Sequence, residues 1–367
     1  MAVLLVVMFH YLVLRDTKFA DPWIDAIKAV KPIHTIVGNG YLGVDLFFLI
    51  TGFLLTLPWW RRALHGGPPP SAREFYRRRA LRIVPAYYVQ LAILFVVVLP
   101  LLQGLTYWRR DVEYVSFNIA AHLTFTHYMT PAASASMSVN GALWTLTLEA
   151  QYYLLLPLLA PFFVRAPLRW ALALVAASAA WRWLAAHDLA PLVALESAIG
   201  LGHVPEEKIR HLLATQLPGY LAHFAAGILV GRAWLAWHGR TATGRESVAW
   251  LALAAVSLVV LYWLYAGGNA ALGEWAWLAS LAAMSLAMLA LVARGLPLAR
   301  PLLANAPLAF IGRVSYSMYL YHLPTLLLWN RYAPSENGLS LPLYLACLTA
   351  VAWSSYRLVE KPFMPKN

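Results

Sequence analysis

The sequence predicts an all-α integral membrane protein, a bundle of about ten transmembrane helices with both termini in the cytoplasm. Three observations carry this. Of 367 residues, 61% are hydrophobic and only 12% charged, with a mean hydropathy of +0.62. Soluble domains run at about 45–50% apolar and about 25% charged, so this much apolar surface does not fit inside one aqueous core. The apolar residues also fall into runs near the ~20 residues that a bilayer-crossing helix needs. Finally, the basic residues gather in alternate connectors between those runs.

The runs are 1–14, 43–60, 83–102, 142–163, 168–186, 213–236, 247–265, 270–293, 306–330 and 340–358. The first has neither a basic leader nor a small-residue cleavage site, so it reads as a retained helix rather than a signal peptide. It is short enough that it must tilt or thin the bilayer, or begin upstream of Met1. The second opens on Asp45 and closes on Arg61 and Arg62. The third follows the breaker-rich connector HGGPPPSAREFYRRR. The fourth carries Glu149, the sixth His223, the ninth His322 and the tenth the single cysteine, Cys347. With the N-terminus inside, eighteen of the 28 Lys and Arg residues lie on the inner side and ten on the outer. That asymmetry sets the orientation. It also explains the net charge of +12 without invoking nucleic acid. The longer connectors, 15–42, 103–141 and 187–212, then lie outside, where an extracytoplasmic ligand would be gripped. No second domain is visible, and residues 1–367 read as one membrane domain.

A lone carboxylate in hydrocarbon costs several kcal/mol, so ionisable residues within spans are functional candidates. They are His10, Asp45, Glu149 and His322. Each has a plainer reading as a hydrogen-bonded strut between helices. His223, in GYLAHFAAG, has no supporting context and is read as structural. Arg78, Arg79 and Arg82 stand at the inner mouth of the third run at i,i+3 and i,i+4 spacing. They could anchor the helix to anionic headgroups or clamp a phosphate.

Six stretches in order resemble the membrane acyltransferase type 3 family, which O-acylates bacterial cell-surface glycans. They are AVLLVVMFH at 2–10, GVDLFFLITGFLLT at 43–56, RRRALRIVPAYY at 77–88, LWTLTLEAQYYLLLP at 143–157, IGRVSYSMYLYHLP at 311–324 and YRLVEKP at 356–362. Each is weak alone, and together they cover nearly the whole chain. The resemblance implies that His10 is the essential histidine and that Arg79 and Arg82, with Arg78 beside them, bind the donor. It makes Glu149 the functional acid, flanked by Trp144, and adds Ser315, Tyr316, Tyr319 and His322 as supporting residues. Thr51 stands where the family has serine and keeps the hydroxyl. The family's arginine eleven residues before the histidine would fall one place before Met1. The chain ends at 367 without the hydrolase-like domain that some relatives append.

The resemblance further implies an acyl-CoA donor, commonly acetyl-CoA, on the cytoplasmic side and a carbohydrate hydroxyl as acceptor outside. The setting would be the bacterial inner membrane, with lipids as neighbours and no metal. The anionic end of CoA cannot enter hydrocarbon and would rest on the arginines while the thin pantetheine arm threads inward. His10 would act as general base or as transient acyl carrier. Trp144, Tyr316 and Tyr319 would offer hydrogen bonds to the thioester oxyanion. Glu149 would pair with His10, His322 or an arginine of the cluster. A proton-coupled polytopic transporter is the rival reading, and a membrane scaffold or sensor a weaker one. The sequence shows no paired halves of the kind many carriers have.

Overall fold

The computed structural model describes residues 1–106, 108–110, 112–131, 133, 138–199, 204–237, 243–292, 305–333 and 337–364. Arg240, Arg294, Arg300 and Lys366, counted above among the inner basic residues, lie outside these, as do residue 293 and parts of the connectors 103–141 and 187–212. The described residues form helices and turns with no strand.

In chain order the helices are α1 (Ala2–Arg15), α2 (Pro22–Ala29), α3 (Lys31–Gly38), α4 (Leu42–His65), α5 (Ala72–Ile93), α6 (Val112–Leu123), α7 (Trp144–Arg165), α8 (Pro167–His187), α9 (Ala190–Ile199), α10 (Glu206–Ala214), α11 (Leu217–Trp237), α12 (Gly244–Tyr265), α13 (Ala276–Val292), α14 (Ala306–Tyr332) and α15 (Ser340–Ser355). Helix α5 runs on through a π turn at Leu94–Val98 to Gln103, and α15 through another at Tyr356–Glu360. Six segments are long and apolar enough to cross a membrane: Leu42–His65, Ala72–Gln103, Asn140–Arg165, Glu206–Trp237, Gly244–Tyr265 and Gly273–Val292. The chain is thus a multi-pass membrane protein. The other four expected runs are helical but fall short by length or composition. Helix α1 has 14 residues and α15 has 16. Helices α8 and α14 have 21 and 27 residues, but polar side chains lower their hydropathy.

The packing explains the small residues. Helices α4 and α11 form the most extensive pairing, through glycine. A β-carbon on Gly52 would lie 2.3 Å from the Phe224 carbonyl oxygen, and one on Gly227 would lie 2.0 Å from that of Leu49. Neither site tolerates a methyl group without separating the helices, the usual logic of close backbone contact in a membrane. Thr56 Oγ1 bonds back to the Gly52 carbonyl at 2.7 Å and Trp60 Nε1 to that of Ile228 at 3.0 Å, so both polar groups stay satisfied. Ser178 ties α8 to α11 through the Pro218 carbonyl and the Ala222 N–H. Outward positions such as Leu154, Leu158, Leu172 and Val259 are exposed, as lipid-facing residues must be.

A buried polar clip fixes the far end of α1. Arg15 Nε meets Asp21 Oδ2 at 2.7 Å, and both side chains are fully buried. Tyr11 and Ser340 donate to the same carboxylate, and Arg15 Nη1 reaches Asn330 at 2.7 Å. The pair is therefore hydrogen-bonded on several sides, as a buried ion pair must be to persist. It locks α1 against α14 and α15, and so fixes where His10 stands.

Candidate active site

At the end of the bundle where α4 and α7 begin lies a cavity of about 630 Å³. His10 is on its wall. Trp144, Tyr220, Tyr265 and Trp277 supply aromatic faces, and Asp45, Arg182, His211 and His223 the polar ones.

The His10 ring is oriented by its own helix and by α14. Its Nδ1 lies 2.9 Å from the Val6 carbonyl, which can only accept, so Nδ1 carries the proton. His322 lies across from it, with His322 Nε2 3.3 Å from His10 Nδ1. His322 Nδ1 in turn donates to the Tyr319 carbonyl at 2.7 Å. The two carbonyls therefore set both tautomers, and His322 Nε2 is left to accept from His10. His10 Nε2, the remaining nitrogen, bonds to none of the described residues. The pairing joins residues 312 positions apart in the chain.

On α14, Tyr316, Tyr319 and His322 fall at three-residue spacing and form one stripe, about 9 Å long at the helical rise of ~1.5 Å per residue. Both tyrosine hydroxyls are committed to backbone. Tyr319 donates to the Ala142 carbonyl at 2.7 Å and sits 2.8 Å from Thr145 Oγ1. Tyr316 donates to the Ile83 carbonyl at 3.0 Å. Each has one proton to give, so neither is free to serve as the oxyanion donor expected above; Tyr319 braces the start of α7 and Tyr316 the middle of α5 instead. Trp144 Nε1, on the cavity wall, has no such commitment among the described residues. The start of α7 is held by His127 Nε2, 2.9 Å from the Leu143 carbonyl, and by Asn140, which donates to the Leu320 carbonyl at 3.0 Å.

Glu149 stands about one and a half turns beyond Trp144 on α7. It is buried, accepts a hydrogen bond from Tyr153, and has Arg82 and Arg79 as its charged neighbours. Of its three expected partners the structure brings the arginines, not His10 or His322. The arginine run splits in two. Arg77 and Arg78 grip Glu74 at 2.8 and 2.6 Å on the exposed side of α5. Arg78 is thereby taken up by Glu74 rather than joined to its two neighbours. Arg79 and Arg82 make no ion pair within 4.0 Å among the described residues, and Arg79 Nε is buried without a partner. Glu360, from the YRLVEKP stretch, is fully buried opposite; it accepts from Ser317, which also bonds Ser355 at 2.8 Å, and Arg82 is again the nearby charge.

Some expected residues stand elsewhere. Ser315 is only half-buried and bonds the Gly312 carbonyl of its own helix; the buried serine of that stretch is Ser317. Thr51 is buried on α4 next to Gly52, and does not line the cavity. Asp45 does reach the cavity, and it brings His223 with it, 3.6 Å from Asp45 Oδ1 to His223 Nε2. His223, read as structural above, is a cavity residue, as are Arg182, His211 and Trp277. No motif in the sequence marks these four.

A family model described as an acyltransferase domain matches residues 1–357. The chain belongs to the acyltransferase 3 family. This acyltransferase is 28% identical to nodulation protein 10 of Rhizobium leguminosarum bv. viciae, over 88% of this chain and 82% of that protein. It is 24% identical to O-acetyltransferase OatA of Staphylococcus aureus (strain NCTC 8325 / PS 47), over 94% of this chain and 57% of OatA. It is 23% identical to peptidoglycan O-acetyltransferase OatA of Listeria monocytogenes, over 95% of this chain and 57% of that protein. The acyltransferase thus spans a little over half the length of the two OatA proteins. No solved structure matches it significantly.

Proposed function

We propose that the protein moves an acyl group, acetyl in the first instance, from acyl-CoA on the cytoplasmic side of a bacterial inner membrane to a carbohydrate hydroxyl outside. In this reading all ten helical runs cross or enter the membrane, and both termini are cytoplasmic. The single observation that carries the chemistry is the His10–His322 pair on the wall of the cavity. An imidazole with a fixed Nδ1 proton and an open Nε2 is a ready base.

The steps follow from that geometry. His10 Nε2 removes the proton of an acceptor hydroxyl as its oxygen attacks the thioester carbonyl carbon. Charge gathers on the carbonyl oxygen, and the Trp144 indole N–H is the donor available to it. The C–S bond then breaks, and the CoA thiolate takes the proton from His10. Ester and thiol leave, and the imidazole is regenerated. His322 accepts from the Nδ1–H of His10 throughout and so favours the imidazolium. It does the work that a carboxylate does in other triads, without bringing a charge into the membrane.

Donor binding falls to Arg79 and Arg82. They are the arginines of the cluster left without an ion pair, which favours anion capture over structural pairing. Glu149 and Glu360 flank them and hold the guanidinium groups in register. The stripe Tyr316–Tyr319–His322 leads from this charged end toward His10 and gives the thin pantetheine arm its course. The acceptor reaches His10 from the cavity. The O-acetyltransferase names of two relatives support acetyl as the group and a cell-wall glycan as the acceptor class. The test is turnover of labelled acetyl-CoA by the purified protein in lipid nanodiscs with added oligosaccharide. Label in the sugar supports the reading; uptake of a solute with no acyl-CoA requirement would favour a carrier.

A further inference from the structure

The acyltransfer reading uses one side of the cavity. Its other side is built from α4, α8, α11 and α13 and has no role in the chemistry above. There Asp45 and His223 approach to 3.6 Å, just beyond hydrogen-bond range. The Asp45 side chain is 20% exposed, and none of the described residues donates a hydrogen bond to it. His223 is 2% exposed, and its Nδ1 is buried with no partner. Arg182 stands near: its Nε is bonded to the Gly219 carbonyl at 2.8 Å, and its guanidinium lies 4.5 Å from the Trp277 ring centroid and 5.0 Å from that of Tyr220. The phenol rings of Tyr41 and Tyr265 and the His211 imidazole complete the surroundings.

A carboxylate can only accept, so Asp45 asks for donors from a ligand. The Arg182 charge offsets that of Asp45, so neither a cationic nor an anionic ligand gains a net field here, and a ligand carboxylate, which can only accept, would face Asp45 with no donor. The neighbouring walls are flat aromatic rings. Hydroxyl groups donating to a carboxylate while a ring's C–H face lies on aromatic surface is the pattern that an uncharged sugar fulfils. Such pockets bind through a few placed polar groups on an apolar lining.

We infer that Asp45, with His223 and Arg182, forms the acceptor-sugar subsite, and that it selects an uncharged pyranose unit over a uronic acid. This rests on the acyltransfer reading for its purpose, but not for its test. Trp144 and Trp277 line the cavity, so binding is read as quenching of tryptophan fluorescence in nanodiscs, with no acyl-CoA present. The probes are an N-acetylglucosamine tetrasaccharide and a galacturonic acid tetrasaccharide of equal length. The wild type is expected to bind the neutral probe saturably and at least tenfold more tightly than the uronate. Asp45→Asn, which keeps the shape, should weaken the neutral probe about tenfold or more and narrow the gap between the two. A lost hydrogen bond to a charged group has that size.

Equal or tighter binding of the uronate by the wild type would overturn the inference, and this comparison needs no variant. Unchanged affinity of Asp45→Asn for the neutral probe, at matched elution and melting, would overturn it as well. So would the absence of any saturable response to the neutral probe. Acyl transfer is measured on the same preparations. Retained sugar binding with no transfer from acetyl-CoA would sink the acyltransfer reading and leave the subsite standing.

Discussion

At the scale of single residues, the proposed chemistry hangs on one nitrogen. His10 Nδ1 is tied to Val6 and His322, and Nε2 is open. Replacing His10 with Gln removes the base but preserves much of the packing, and should lower kcat by ~10³-fold, the usual weight of a positioned base. His322→Gln acts only through His10 and should cost less, about 10–100-fold in kcat with donor KM unchanged. The arginines should separate equally cleanly. Arg79→Ala and Arg82→Ala should each raise the acyl-CoA KM about tenfold or more, the worth of a lost charge-assisted hydrogen bond. Arg78→Ala, which leaves Glu74 with Arg77, should leave that KM within about twofold. Steady-state kinetics with varied acyl-CoA reads all three. His10, Glu149, His322 and the basic run were legible as candidates in the sequence, because a polar group in an apolar run is conspicuous. Their pairing was not. His10 meets His322 across most of the chain, and Glu149 had three possible partners before the fold chose the arginines. Chemistry can nominate a residue; only packing gives it a neighbour.

At the scale of elements, the seams that hold the site are specific enough to break. Gly227→Ala puts a methyl group 2.0 Å from the Leu49 carbonyl oxygen and must push α11 off α4. A loss of about 1–3 kcal/mol is expected from such overpacking, read as a lower melting temperature in detergent. Asp21→Ala leaves Arg15 buried without its counter-charge and should cost about 3–5 kcal/mol by the same measurement. Helical phase is where the sequence said least. Helix α11 is apolar on most faces, so no polar stripe tells which side turns inward, and on α14 serine stands at both 315 and 317 with nothing to say which is inward. That is why nothing marked Ser317 as the buried serine, or showed that His223 faces the cavity. The six clear spans were legible because an unbroken apolar run has one reading in a bilayer; α8 and α14, which carry site residues, are less apolar for that reason.

At the scale of the whole molecule, the arrangement is two chemically different ends joined by a polar stripe. One end has two arginines with no ion pair among the described residues and buried carboxylates, the other an aromatic-walled cavity with a histidine at its edge. A protein that takes an anionic donor on one side of a membrane and a neutral acceptor on the other needs that asymmetry. The proposed orientation predicts that a cysteine introduced at Gly66, in a Cys347→Ser background, is modified only from the cytoplasmic side. One introduced at Gly104 should be modified only from outside. Labelling intact cells with an impermeant maleimide checks both.

The most direct test of the central claim uses the purified protein in nanodiscs with acetyl-CoA labelled in the acetyl group and the N-acetylglucosamine tetrasaccharide. Wild type and His10→Gln are compared at equal protein. The account predicts label in the sugar and stoichiometric release of CoA by the wild type, with both reduced ~10³-fold in the variant. Equal rates from the two proteins, or release of CoA by neither, would contradict it.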